Sequence, residues 1–113
     1  MFKTIRIGDK DVGMLANAAS PYIFKQVFHE DLLKKFAEME TDLDQSIGEK
    51  LGFVFAKQAE TDDISALMKL NMDNFLTWLY GFDPLDVYMA SEEIVGLYQE
   101  QKGSTSVPKE EGE

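Results

Sequence analysis

The single histidine, His29, stands next to Glu30 and Asp31, and the 113-residue chain holds no cysteine. A histidine mechanism therefore has one candidate and no histidine partner, and a surface or helix-end position accounts for His29 without chemistry. Serines are available for a Ser-His-Asp arrangement, but none stands in a nucleophile-elbow sequence. Asp42-Leu43-Asp44-Gln45-Ser46 places oxygens at the first, third and fifth positions of a calcium loop. The pattern then fails, because Ile47 occupies the place of the turn glycine and Phe53 that of the bidentate glutamate. Asp62-Asp63 and Glu92-Glu93 have the composition of acid-base or magnesium pairs, yet both read as helix starts, where carboxylates offset the positive end of the helix dipole. Gly8 and Gly13 flank a turn, while Gly48 and Gly52 lack the lysine and hydroxyl of a phosphate loop. These patterns make no enzyme, imply no cofactor and leave protein binding as the working class.

The side chains suited to that role are methionines and aromatics. Phe75, Trp78, Tyr80 and Phe82 read first as core, with Trp78 or Tyr80 left at an interface; stacking on bases is disfavoured by a setting with one lysine and several acids. Met68, Met72 and Met89 add adaptable apolar surface. Together, Met68, Met72, Trp78, Tyr80, Phe82 and Met89 form the candidate protein-binding set.

The formal net charge of −10 works against binding a phosphate backbone, where lysine and arginine displace counterions. It is also localised. Residues 1–59 hold nine acids and eight bases, whereas residues 60–101 hold nine acids and only Lys69. This acidic stretch reads either as a solvated face or as a docking surface for a basic partner. The longest apolar runs are a few residues, short of a membrane helix, and MFKTIRIGDK has no apolar stretch of signal-peptide length. A soluble, unsecreted chain with no membrane or nucleic-acid partner is expected.

In the elements that must support these side chains, Lys3, Ile5 and Ile7 alternate with Phe2, Thr4 and Arg6. The run Gly8-Asp9-Lys10-Asp11 separates them from Val12, Met14 and Ala16, predicting a β-hairpin over 1–17. Such a hairpin is marginal alone and must lean on its own helices or on a second copy, making its edge a possible site of homo-oligomerisation. Ser20-Pro21 predicts a helix start, with Ser20 as cap and Pro21 in the first turn. Tyr22, Phe24, Val27 and Phe28 follow at helical spacing, then Leu32, Leu33, Phe36 and Met39, with the role of Asp31 as a new start left open. Ile47, Leu51, Val54, Phe55 and Gln58 define another helical face that Gly48 and Gly52 weaken. After Thr61-Asp62-Asp63, the stripe Ile64, Leu67, Met68, Asn71, Met72, Phe75, Leu76 and Leu79 predicts one helix ending near Gly81. A last helix runs from Leu85 or Ser91 to Gln101, with Val87, Ala90, Ile94, Val95 and Tyr98 inward. Residues 102–113 have almost no apolar content and are expected to be disordered. The expected fold is mainly α: one domain over 1–101, with the hairpin followed over 20–101 by a compact bundle of about four helices, and then the tail.

One set of patterns is more specific. Lys3-Thr4-Ile5-Arg6-Ile7-Gly8-Asp9-Lys10, Ala18-Ala19-Ser20 before Pro21-Tyr22, and Phe24-Lys25-Gln26-Val27-Phe28 leading to Asp31-Leu32-Leu33 belong to it. So do Asn74-Phe75-Leu76-Thr77-Trp78-Leu79 and Glu93-Ile94-Val95-Gly96-Leu97-Tyr98. Over nearly its whole length the chain resembles the tail assembly chaperones of long-tailed phages and prophages of Gram-positive bacteria. The resemblance implies a small helical protein without enzymatic activity that binds the tape measure protein and helps recruit tail tube subunits. It also implies action in the cytoplasm of the bacterial host and absence from the mature virion. The alternatives are a structural tail-completion protein of the virion and an acidic helical adaptor that inhibits a host protein.

Overall fold

A computed structural model describes the backbone of residues 1–38 and 45–111 and the side chains of 1–37 and 46–99. The described residues fold mainly as helix behind a two-stranded antiparallel hairpin, as expected. Strands β1 (Phe2–Ile7) and β2 (Lys10–Leu15) pair in the register Ile7↔Lys10, Ile5↔Val12 and Lys3↔Met14. Gly8 takes φ +65° at the first position of the two-residue turn, a conformation that favours glycine. Because side chains alternate across a strand, Ile5, Ile7 and Met14 enter the core while Arg6 and Asp11 meet across the outer face at 3.1 Å. At the open end the Met1 ammonium donates to the Ala16 carbonyl at 2.6 Å, and the Ala16 N–H donates back to the Met1 carbonyl at 2.9 Å. The hairpin leans on its own chain.

It does so through two long helices, α3 (Gln45–Glu60) and α6 (Pro84–Glu111): β2 lies against α3 and β1 against α6. These helices also pack on each other. A Cβ at Gly48 would stand 2.4 Å from the Ser91 Cβ, and one at Gly52 would stand 3.1 Å from Ile94 Cδ1 and 3.3 Å from Trp78 Cη2. The two glycines that weaken the helical pattern are therefore what allows α6 and Trp78 to approach α3. Ser91 is correspondingly mid-helix, with its hydroxyl donating to the Val87 carbonyl at 2.9 Å. Of the two expected starts the earlier is the one observed, to within a residue: the helix begins at Pro84, whose missing N–H costs nothing in a first turn. Glu92-Glu93 thus lies inside α6 and not at its start. The helix runs to Glu111, beyond the expected end at Gln101; the expected disordered tail, 102–113, falls on residues whose side chains lie outside the described ones.

Helix α1 (Ser20–Phe28) corrects another expectation. Ala19 is the N-cap and makes no side-chain cap bond, while Pro21 stands in the first turn as expected. Ser20 is buried in that turn: its Oγ accepts from the Asn17 N–H at 3.1 Å and donates to Gln58 Oε1 at 2.6 Å. Asn17 Oδ1 accepts from the Ala19 N–H and from Gln58 Nε2, both at 2.9 Å. A serine that looks like a cap is thus tied to α3, and the network anchors the hairpin-to-helix junction. Ile23, Phe24, Val27 and Phe28 face the core, whereas Tyr22 is exposed. The helix ends where His29 takes φ +57° and donates its N–H to the Lys25 carbonyl at 2.8 Å. Asp31 does open a helix, α2 (Leu32–Glu38), accepting from the Leu33 and Lys34 N–H groups at 3.0 and 3.3 Å. Leu32 is buried and Leu33 exposed; Met39 lies outside the described residues.

The long helix expected after Asp63 is two short ones, α4 (Ile64–Leu67) and α5 (Met72–Leu79). Asp63 Oδ1 caps the first by accepting from the Ser65 and Ala66 N–H groups at 3.0 and 3.4 Å. Asn71 restarts the second through a reciprocal capping box with Asn74, the side-chain oxygen of each accepting from the backbone N–H of the other. The asparagine that sat on the apolar stripe is a cap, which carries extended backbone and ends helical continuity.

The core gathers where these elements meet. Phe53 makes edge-on contacts with Phe28, Phe75 and Trp78 at centroid distances of 6.4, 5.6 and 5.9 Å. On the far side Tyr98 stacks with Phe36 and Phe55, and burial raises its hydroxyl above the usual tyrosine pKa.

Candidate protein-binding surface

The split of 61–81 decides which candidate side chains are free. Phe75 fixes α5 in the core, with its ring 4.9 Å from Phe28. Met72, Leu76 and Tyr80 consequently turn outward, as do Ile64 and Met68 before them. These five residues recur every fourth position. Tyr80 is 93% exposed, and Met89 on α6 is 70% exposed beside exposed Leu85 and Tyr88.

Trp78 and Phe82 do not join that set. Trp78 packs on Phe53 and on the Phe82 ring, 4.9 Å away. The Lys10 ammonium lies 4.9 Å over Phe82 and donates to the Gly81 carbonyl at 2.8 Å. Both aromatics are half-buried supports that tie the segment after α5 to the hairpin and α3. Of the six candidates, then, Met68, Met72, Tyr80 and Met89 are presented outward, and Trp78 and Phe82 hold their support. Ile64, Leu76, Leu85 and Tyr88 belong to the exposed set, Ile64 and Leu76 lying on the stripe from which one continuous helix was expected. The signal that finds them is the cap at Asn71, which breaks the helix on which that stripe was drawn.

The same stretch carries carboxylates without counter-ions. Among the described residues, Glu60 pairs with Lys57 and Glu93 with Lys3, but Asp62, Asp63, Asp73, Asp83, Asp86 and Glu92 make no ion pair. Asp63 is engaged as a helix cap. Asp42 and Asp44 of the calcium-like pattern lie outside the described residues, and among those described no three His, Cys, Asp or Glu side chains cluster as a metal site. His29 is exposed at its helix end, and Glu30 beside it is held by Lys50 at 3.0 Å and Lys35 at 3.8 Å. A 650 Å³ open groove along β2 is lined by Phe2, Val12, Ala56, Ala59 and Trp78 together with the charged residues Lys10, Asp11 and Glu60. Among the described residues no helix is long and apolar enough to cross a membrane.

What the arrangement can do physically is bind a macromolecule. Thioether and phenol side chains exposed along 68–89, interspersed with carboxylates that make no ion pair among the described residues, match an apolar partner bearing positive charge. Compared with known proteins, the chain matches no protein-family model, no curated protein and no solved structure.

Proposed function

We propose that the chain is a phage or prophage tail assembly chaperone that binds the tape measure protein and helps recruit tail tube subunits in the host cytoplasm, leaving before the virion matures. The observation that carries this reading is the coincidence, over 62–92, of outward apolar side chains with carboxylates that make no ion pair among the described residues. A holdase for long helical segments needs apolar surface to mask its client and charge to keep the loaded complex in solution. Methionine supplies contact that adapts to more than one register of the client. The sequence resemblance names the client class, and the surface supplies a physical means of holding it.

Co-expression with a long helical tape measure protein of a long-tailed phage tests the reading. The expected result is a soluble complex that co-purifies and is lost when Met72 and Tyr80 are both changed to Ser. An insoluble tape measure protein that never co-purifies rejects it. Retention of the chain in purified, mature particles favours a tail-completion protein instead.

A further inference from the structure

The outer face of α6 contains a glycine against which none of the described residues packs. At Gly48 and Gly52 the missing side chain admits a neighbouring element, but a Cβ at Gly96 would meet none of the described residues within 4 Å. Glycine is the poorest helix former after proline, so an interior helical glycine without a close neighbour is a local cost with no return inside the fold. Gly96 shares a face with Leu85, Tyr88, Met89, Glu92 and Gln99, which follow the helical spacing i, i+3, i+4, i+7 and i+14 from Leu85, with Gly96 at i+11. Leu85, Tyr88, Met89, Glu92 and Gln99 are all exposed. Three apolar side chains thus lead along one helical stripe to a carboxylate and then to a notch in the backbone.

We propose that this face seats a lysine- or arginine-bearing amphipathic helix of the partner, which makes its closest crossing at Gly96. Small residues let helix backbones approach, and the apolar residues at 85, 88 and 89 give the seated helix an apolar contact. Charge selects the occupant. Between Pro84 and Gln99 the sequence holds Asp86, Glu92 and Glu93 and no base. A second copy of α6 would bring carboxylates against carboxylates, whereas a basic helix would neutralise Glu92, which lies on this face without an ion pair among the described residues; Asp86 stands off the face, beside the Gly8 turn. The inference deepens the chaperone reading and rests on it for the identity of the natural client.

The test uses the full 113-residue chain. Its probe is a fluorescent amphipathic peptide built from leucine and lysine, compared with one in which glutamate replaces every lysine. Saturable binding of the lysine peptide that weakens with added salt is expected, with no binding of the glutamate peptide. Gly96→Leu is expected to fill the notch and weaken binding about tenfold or more without lowering the thermal midpoint, since the site is open. Met89→Ser gives a second reading independent of helix propensity and is expected to weaken binding as well. Equal binding of both peptides, or unchanged affinity in both variants, overturns the proposal. So does a dimer of the free chain, seen by sedimentation, that Gly96→Leu dissociates, because the face would then belong to a second copy. The two readings fail separately. A tape measure protein that co-purifies equally with wild type and Gly96→Leu removes this seat and leaves the chaperone; a Gly96-dependent peptide site without tape measure binding does the reverse.

Discussion

Residues 1–59 and 60–99 build one core, but they leave different things outside it. In the first stretch charges nearly balance and many are matched locally: Arg6 with Asp11, and Lys35 and Lys50 with Glu30. Among its described residues the exposed large apolar side chains are Met1, Phe2, Tyr22 and Leu33, scattered over the hairpin and two helices. The second stretch exposes Ile64, Met68, Met72, Leu76, Tyr80, Leu85, Tyr88 and Met89, and most of its carboxylates have no ion pair among the described residues. Isolated exposed apolar residues are ordinary on any protein; repeated ones at helical spacing mark a contact surface. Nor does the exposure reflect a shortage of core, since Phe75, Val87, Ile94 and Leu97 from the same stretch are buried. The contrast is between a part that mainly completes the fold and a part that completes it while holding a second face outward.

The strongest way to break that contrast is to truncate one apolar residue of each kind. Phe53 is fully buried among Phe28, Phe75 and Trp78, so Phe53→Ala is expected to destabilise by about 3 to 5 kcal/mol in denaturant titration. Leu76→Ala is expected to stay within about 0.5 kcal/mol of wild type, as for a surface site. Comparable losses would mean that the outward row is core and that the surface assignment fails.

Glycines sharpen the same contrast within one helix pair. Gly48→Ala forces a Cβ to within 2.4 Å of Ser91 Cβ and 2.9 Å of its Cα, so separation of α3 from α6 is expected to cost about 1 to 3 kcal/mol. Gly96→Ala meets open space and is expected to gain up to about 1 kcal/mol from helix propensity. Thermal melts of the two variants should move in opposite directions. Movement in the same direction would show that a neighbour does lie over Gly96.

A smaller effect is expected at the restart of α5. Asn71→Ala removes the acceptor for the Asn74 N–H and half of the capping box, a loss of about 1 kcal/mol in a helix of eight residues. Hydrogen exchange should quicken at the start of α5 before it changes in α3. Uniform quickening would instead make the cap part of the global unfolding unit.

Why parts of this were legible in the sequence follows from which signals are local. The hairpin was, because Ile5, Ile7 and Met14 alternate around a turn whose Gly8 needs positive φ. The last helix was, with its start near Leu85 as one of two expected places, because Val87, Ala90, Ile94, Val95 and Tyr98 mark one buried face. Ser20 and Asn71 were misread because both residue types cap helices and also serve other positions. What decides is a distant partner, Gln58, in one case and a reciprocal bond to Asn74 in the other. The glycines of α3 were misjudged for the same reason: their neighbours Ser91, Ile94 and Trp78 lie far along the chain. Of the six candidate binding residues, Met68, Met72, Tyr80 and Met89 are exposed while Trp78 and Phe82 are half-buried, because aromatic type alone does not tell a contact residue from the wall that supports it.

Tyr80 offers the test with the smallest expected effect on folding. Its side chain is 93% exposed, so Tyr80→Ser removes a large aromatic that stabilises nothing inside the chain. The change in unfolding free energy is expected to stay within about 0.5 kcal/mol, whereas capture of the apolar, basic client should weaken by about tenfold if Tyr80 anchors the interface. Because Gly81 and Phe82 hold the Lys10 side chain through backbone and ring, the loop is expected to keep its course without the phenol. Circular dichroism and a melt on the same sample check that premise. Reduced capture with an unchanged melt would place Tyr80 in the contact surface, while unchanged capture would move that surface towards Leu85, Tyr88 and Met89, where α6 presents its own apolar row.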